Sequence, residues 1–144
     1  MQTALAVTTE FFDNDIAVNE LSSQIQAQLS DLSHASGLLF ASPDYEWDAL
    51  LPALSSSLGI EIFGATSESM LSSMGYHDEG AVLLVLSGED CSFAGEVSDS
   101  LQSAATAEAD VRAAYDSALG KLNGQKPRLV LFFGTSNGNI ALPA

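Results

Sequence analysis

The strongest constraint on the fold is an alternation between short apolar runs and longer segments whose apolar residues recur at helical spacing. Near-continuous apolar runs of this length are typical of buried parallel strands, and the intervening helices supply the crossovers that parallel strands need. The sequence therefore predicts an α/β fold with helices packed on a mostly parallel sheet. The predicted strands are residues 5–9, 37–41, 60–63, 81–86, 91–97 and 129–133.

Local signals mark the ends of the first two helices. The first helical pattern starts near Asp15, where Asp13 or Asn14 can cap it. In the second, Ser42 is predicted as the N-cap, with Pro43 at the first helical position. Its apolar stripe runs to Gly59, and Pro52 inside the pattern predicts a kink or a split. Its stripe residues are Trp47, Leu50, Leu51, Leu54 and Leu58.

The regular alternation of predicted strands and helices ends in the second half of the chain. The spacing of Met70, Leu71 and Met74 predicts a short helical turn. The runs 81–86 and 91–97 are separated by four residues, which permits an antiparallel hairpin but no parallel crossover. A long helix follows, with Ala104, Ala107, Val111, Ala114, Ala118 and Leu122 on one face. The chain stops soon after the last predicted strand, which suggests that residues 1–144 form an incomplete domain.

The charge is strongly acidic: 19 acidic side chains oppose 4 basic ones, for a net charge of −15. The basic residues all lie beyond residue 111; they are Arg112, Lys121, Lys126 and Arg128. Such a chain repels phosphate backbones and anionic membranes, so neither nucleic acid nor membrane insertion is expected. The acidic surface is consistent with docking of a basic partner, or simply with solubility and salt adaptation.

Several features favour a reducing compartment. The N-terminus lacks a basic segment followed by an apolar stretch, so no secretory signal is predicted. Cys91 is the single cysteine, which excludes an internal disulfide. It has no basic neighbour in sequence to activate it, so an inert thiol is expected. We therefore expect a cytoplasmic protein.

Hydroxyl-rich segments follow four of the predicted strands. Carboxyl ends of parallel strands meet at one sheet edge, where ligands bind in open α/β folds. Each segment taken alone is also explained by ordinary turn and cap chemistry. Together they predict a site for a small polar ligand. The predicted ligand-binding residues are Thr9, Ser42, Asp44, Tyr45, Thr66, Ser67, Glu68, Thr135, Ser136 and Asn137.

No catalytic residue is predicted. Residues 134–138 match the G-x-S-x-G pattern, but a hydrolase of that type needs an acid and then a histidine downstream, and none follows. The run from His77 to Glu79 is interpreted as a turn, because metal sites need convergent ligands. An enzyme of another class would need Asp44 or Glu68 as its general base.

Three blocks, at residues 38–45, 62–67 and 75–82, resemble the FIST N-terminal domain in their order and spacing. The resemblance implies a prokaryotic signal-input domain that binds small ligands such as amino acids. It also implies signalling to a histidine kinase, a cyclic-dinucleotide enzyme or a chemotaxis protein. The full family pattern continues into a C-terminal FIST domain, which this chain lacks.

Two further points follow from the resemblance. The family usually has a small residue, a glycine and an acid where this chain has Glu68, Ser69 and Met70. If that glycine lets a ligand approach the backbone, Ser69 would alter or close the site. Some members are reported as haem-based gas sensors, which would make His77 or His34 an axial ligand, although no cofactor is otherwise expected. A non-catalytic interaction fragment is a further alternative.

Overall fold

A computed structural model describes residues 1–98 and 104–134, apart from the side chains of residues 104 and 105. The chain divides into two compact units, Met1–Cys91 and Ser92–Ala144, which are described separately below. The first unit contains a mixed four-stranded sheet, a small hairpin and two helices. In chain order these are β1 (Gln2–Thr8), α1 (Asn14–Gln28), β2 (Ala35–Ala41), α2 (Trp47–Leu58), β3 (Glu61–Thr66), β4 (Met70–Ser72), β5 (Gly75–His77) and β6 (Ala81–Ser87).

The four-stranded sheet has the strand order β1-β6-β2-β3. Strand β6 is antiparallel to both of its neighbours, and only β2 and β3 pair in parallel. The α/β prediction is confirmed, but the prediction of a mostly parallel sheet is wrong. The predicted hairpin between residues 81–86 and 91–97 is also wrong, because β1 and β2 already occupy both edges of β6.

Helices α1 and α2 pack on one face of this sheet and close the hydrophobic core. Because side chains alternate across a strand, the register assigns every second residue of each strand to this face. Its buried residues are Ala4, Ala6, Leu39, Ala41, Ile62, Ala81, Leu83 and Val85. The second face is also apolar. It carries Leu5, Val7, Leu38, Phe40, Phe63, Val82, Leu84 and Leu86, of which Val82 is buried and the others are partly exposed.

The first helix begins as predicted. The Asp13 carboxylate accepts hydrogen bonds from the backbone N–H groups of Asp15 (2.9 Å) and Ile16 (3.1 Å). These bonds satisfy two of the donors that a helix start leaves unpaired. Asp13, one of the two caps that the sequence allows, is therefore the N-cap, and Asn14 is the first helical residue.

The second helix differs from the prediction at its start. It begins at Trp47, with Glu46 as an N-cap that makes no side-chain capping bond. Ser42 instead bonds within its own turn, so the predicted cap at Ser42 is wrong. The helix runs unbroken through Pro52, and Gly59 ends it in the left-handed conformation (φ 68°), as predicted. The core side of the predicted stripe is confirmed, since Leu50, Leu54 and Leu58 are buried.

The predicted helical turn near Met70 is wrong, because residues 70–77 form the antiparallel hairpin of β4 and β5. The turn bonds locally, with the Ser72 hydroxyl accepting the Met74 N–H at 3.0 Å. Gly75 has φ 122°, a conformation that side chains with a Cβ disfavour. The spacing of Met70, Leu71 and Met74 is compatible with a helical turn and also with a hairpin of three-residue strands, so it does not distinguish the two.

The second unit contains α3 (Ala104–Lys121), which confirms the predicted long helix. At its end the Lys121 ammonium lies 3.1 Å from the Glu96 carboxylate, which also accepts the Ser117 hydroxyl at 2.8 Å. The Ser117 bond first, and then Lys121, lower the pKa of Glu96. Within the described part of this unit, residues 92–97 and 129–133 form no strand, so both strand predictions fail there.

Candidate functional site

Three of the four hydroxyl-rich segments do leave the same edge of the sheet. Strands β1 and β2 are both antiparallel to β6, and β3 is parallel to β2, so the carboxyl ends of all three point the same way. Thr8, Ala81, Ala41 and Thr66 form one row across the sheet at this edge. The fourth predicted segment, with Thr135, Ser136 and Asn137, lies outside the residues that the structure describes.

The segment after β1 is held by its own hydrogen bonds. The buried Thr8 hydroxyl donates to the Glu20 carboxylate at 2.5 Å and accepts the Glu10 N–H at 3.0 Å. The Glu10 carboxylate in turn accepts the Phe12 N–H at 2.8 Å. Thr9, the predicted ligand-binding residue, is exposed beside this turn. The polar groups of this segment therefore shape the connection into α1.

The segment after β2 is likewise engaged. Ser42 is buried, its N–H donates to Gly80 O at 2.9 Å, and its hydroxyl donates to the Asp44 carboxylate at 3.3 Å. Tyr45 is 4% exposed and its hydroxyl donates to Glu10 O. Burial, with the nearby charges of Glu10 and Glu20, raises the pKa of Tyr45 to about 12. The buried side chains of Ser42 and Tyr45 therefore anchor this turn on the hydrophobic core.

The segment after β3 opens on a cleft. The cleft has a volume of about 200 Å³ and is lined by Phe40, Ser67, Ser69, Met70, Leu71 and Val82. Phe40 and Val82 are opposite each other in the β2–β6 pairing, on the sheet face away from the two helices. The Ser67 hydroxyl donates to Ser69 O at 2.5 Å and braces the loop that leads into β4. We refer to this as the β4 cleft.

Of the predicted residues that the structure describes, Ser67 alone lines the β4 cleft. Thr66 belongs to the edge row on the helix-covered side of the sheet, and Glu68 is exposed between the two cleft serines. The edge predicted from the sequence thus contains two different environments. One is a hydrogen-bonded turn region over the helices, and the other is an open cleft on the second face.

An acidic residue follows the strand that pairs with β4, since Asp78 comes directly after His77 and His77 pairs with the cleft residue Met70. Tyr76, which is 62% exposed, hydrogen-bonds to Asp78, and this bond together with the Asp78 charge raises the pKa of Tyr76. A second bond joins Tyr76 to Ser69, one of the residues that line the cleft, and it acts in the opposite direction. Tyr76 itself pairs with Leu71, which lines the cleft.

The two histidines do not line this cleft. His77 Nε2 lies 3.1 Å from the Ser72 hydroxyl across the β4–β5 hairpin, and His34 is exposed. Neither histidine is therefore placed to act as an axial ligand to a haem in this cleft. Among the described residues no group of three or more histidine, cysteine or acidic side chains is arranged to hold a metal ion.

A second, wider groove lies in the 92–144 unit. It has a volume of about 490 Å³ and is lined by Tyr115, Leu119, Gly124, Gln125, Lys126 and Pro127. None of the predicted ligand-binding residues within the ranges 1–98 and 104–134 lies in it. No helix within the described ranges is long and apolar enough to cross a membrane.

Comparison with models of protein families shows which family this chain belongs to. The model of the FIST N domain matches residues 35–142, which is most of the 144-residue sequence. The chain belongs to the FIST N family. FIST domains are sensory domains of signal transduction and are generally non-catalytic. No curated protein matches this chain. The FIST match begins at β2, so β1 and α1 precede it.

The residues that sequence reasoning missed are mainly apolar. Phe40 and Val82 stand within apolar runs whose composition predicts only burial, and nothing in those runs distinguishes a cleft wall from a core. The spacing of Met70 and Leu71 predicts a helical turn, whereas both residues lie in strand β4 beside the cleft. In the sequence, Ser69 differs from its neighbours only as a departure from the FIST pattern.

Proposed function

We propose that this FIST N domain is the input module of a signalling system and that it binds a small ligand in the β4 cleft. The observation that carries the proposal is the cleft itself, at the sheet edge where α/β folds bind ligands. It combines apolar walls from Phe40 and Leu71 with serine groups at positions 67 and 69. Ligand pockets commonly have this mixture.

The size of the β4 cleft limits the ligand. Its volume of about 200 Å³ is below the 300–1,000 Å³ that is usual for drug-sized ligands. A metabolite of a few heavy atoms, with one apolar and one polar end, suits it. The polar end of the ligand would contact the Ser67 hydroxyl and the Ser69 carbonyl group, which are hydrogen-bonded to each other.

The output of the module is a change that a partner can detect. Strand β4 forms one wall of the cleft and belongs to a two-stranded sheet separate from the main sheet, so a bound ligand would alter the population of conformations of the β4–β5 hairpin. We propose that a histidine kinase, a cyclic-dinucleotide enzyme or a chemotaxis protein reads this change, as the family relationship suggests. The same relationship favours a cytoplasmic, non-catalytic role.

The experiment is a ligand screen by saturation-transfer NMR on the 144-residue chain, with hits mapped by backbone amide shifts. We expect the hits to shift the amides of residues 67–71. Leu71→Trp should abolish binding, because Leu71 lines the cleft yet is 82% exposed, so a larger side chain fills the cleft without disturbing the core.

Met74→Trp is the matched control, since Met74 is 66% exposed on the same hairpin but does not line the cleft. Both variants should keep the melting temperature of the parent. Hits that bind equally well to the Leu71→Trp protein would contradict the proposed site. A screen in which no compound shifts the amides of residues 67–71 would contradict the proposed function.

A further inference from the structure

The unit that carries the β4 cleft contains no positively charged side chain. Residues 1–91 include 14 aspartates and glutamates and neither lysine nor arginine, because every basic residue lies at position 112 or beyond. The side chains of this unit therefore carry a large net negative charge. Charges of one sign at a cleft raise the concentration of ligands of the opposite sign.

The other usual donors to an anion are also absent from the cleft. Carboxylates and phosphates are held by arginine, by lysine or by the N–H groups of a helix N-terminus. Helices α1 and α2 pack on the opposite face of the sheet from Phe40 and Val82, so their N-termini do not line the cleft. An anionic group entering the cleft would meet serine hydroxyls but no charged donor to compensate for its lost hydration.

A cation, in contrast, finds acceptors at the cleft. The Ser69 carbonyl lies beside the Ser67 hydroxyl, and Asp78 directly follows His77, which pairs with the cleft residue Met70. Glu68 adds a second exposed carboxylate between the two serines. An ammonium group has three donors and no acceptor, which matches a set of carbonyl and carboxylate oxygens.

We infer that the β4 cleft binds a small organic amine, with an apolar group between Phe40 and Leu71 and its ammonium group directed to the rim at Asp78. A ligand that also carries a carboxylate or a phosphate is selected against. This inference rests on the proposed function, since it assigns a chemical class to the ligand of the same site.

The test compares three probes that share one branched apolar group. Isopentylamine is the cation, leucine is the zwitterion and 4-methylpentanoate is the anion. Each is titrated into the full 144-residue chain and followed by the amide shifts of residues 67–71. We expect isopentylamine to bind at least about tenfold more tightly than 4-methylpentanoate, with leucine between them. Added salt should weaken amine binding.

Two variants assign the charge. Asp78→Asn should weaken isopentylamine binding about two- to fivefold, as for an ion pair on an exposed rim. Tyr76→Phe keeps the Asp78 carboxylate and removes its hydrogen-bond partner, so amine binding should be retained or strengthened. Glu61→Gln is the matched control, because it makes the same charge change at the opposite end of β3.

The outcomes separate the two proposals. Tighter binding of leucine or 4-methylpentanoate than of isopentylamine would overturn the amine inference and leave the proposed site standing. Failure of all three probes to bind would overturn it as well. Amine binding that Asp78→Asn and Glu61→Gln weaken equally would show that only the general charge matters, and would overturn the role of Asp78. The proposed function itself fails only if no compound in the ligand screen shifts the amides of residues 67–71.

Discussion

The side-chain amide of Gln24 bonds to both backbone polar groups of Val7. Its Nε2 donates to Val7 O at 2.9 Å, and its Oε1 accepts the Val7 N–H at 3.1 Å. One helical turn later Gln28 repeats the pattern on Leu5, with distances of 2.7 and 3.2 Å. Strand β1 is at the edge of the sheet, so two glutamines of α1 take the place of a neighbouring strand.

We expect Gln24→Ala to lower the free energy of unfolding by about 1 kcal/mol, because two partly buried hydrogen bonds are lost. The edge of β1 would also become available for pairing with other chains. Urea denaturation measures the first effect and light scattering the second. Gln26→Ala, at an exposed position of the same helix, is the control and should change neither. Equal effects of the two substitutions would contradict this role of Gln24.

Replacement of Asp13 tests the start of α1. Asp13→Ala should destabilise the protein by about 1 kcal/mol, since two N–H groups of the first turn lose their acceptor. Asp13→Asn keeps a side-chain oxygen in place and should cost much less. Thermal and urea denaturation of both variants provide the measurement. A loss as large for the asparagine variant as for alanine would show that charge, rather than capping geometry, matters here.

Tyr45 predicts a dependence of stability on alkaline pH. Its pKa in the folded protein is about 12, against 10.0 in the unfolded chain, because burial disfavours the charged form. Its contribution to stability is therefore complete below pH 10 and is lost as the pH rises from 10 to 12. Tyr45→Phe should make the stability loss in this window shallower.

At neutral pH the same substitution should cost about 1 kcal/mol, because Glu10 O loses its donor. Urea denaturation at a series of pH values measures both effects. Tyr115→Phe, which changes a 43% exposed tyrosine, is the control and should leave the profile unchanged. Identical alkaline slopes for Tyr45→Phe and the parent chain would contradict the argument.

Gly64 is predicted to tolerate no side chain. A Cβ at this position would lie 1.7 Å from the carbonyl oxygen of Leu39, a backbone atom that cannot move aside. Gly64→Ala should therefore destabilise the unit by at least about 3 kcal/mol. Gly120→Ala is the contrasting variant, because it has open space inside α3 and should stabilise that helix by about 0.5–1 kcal/mol. Circular dichroism during denaturation compares the two, and a stable Gly64→Ala protein would disprove the close approach.

Part of the candidate site was predictable from the sequence and part was not. The shared edge of the first three strands followed from alternation, and Ser67 was among the residues assigned to it. The division of that edge was not predictable, because it depends on which face each side chain occupies. Buried hydroxyls such as Ser42 and open ones such as Ser67 look alike in a sequence.

The sequence by itself determined the local features of the fold. Asp13 caps α1 and Gly59 ends α2 because their side-chain and backbone chemistry acts within a few residues. The apolar runs that form β1, β2, β3 and β6 can also be recognised in the sequence, since each must be buried. These features need no knowledge of the rest of the chain.

Only the tertiary structure decided how those elements pair. An apolar run such as Ala81–Ser87 reads the same in either direction, so its antiparallel place between β1 and β2 could not be read from its residues. That place left β6 no edge for residues 91–97, whose composition equally suited a strand. Strand partners are chosen by non-local hydrogen bonds and packing, which local propensity does not encode.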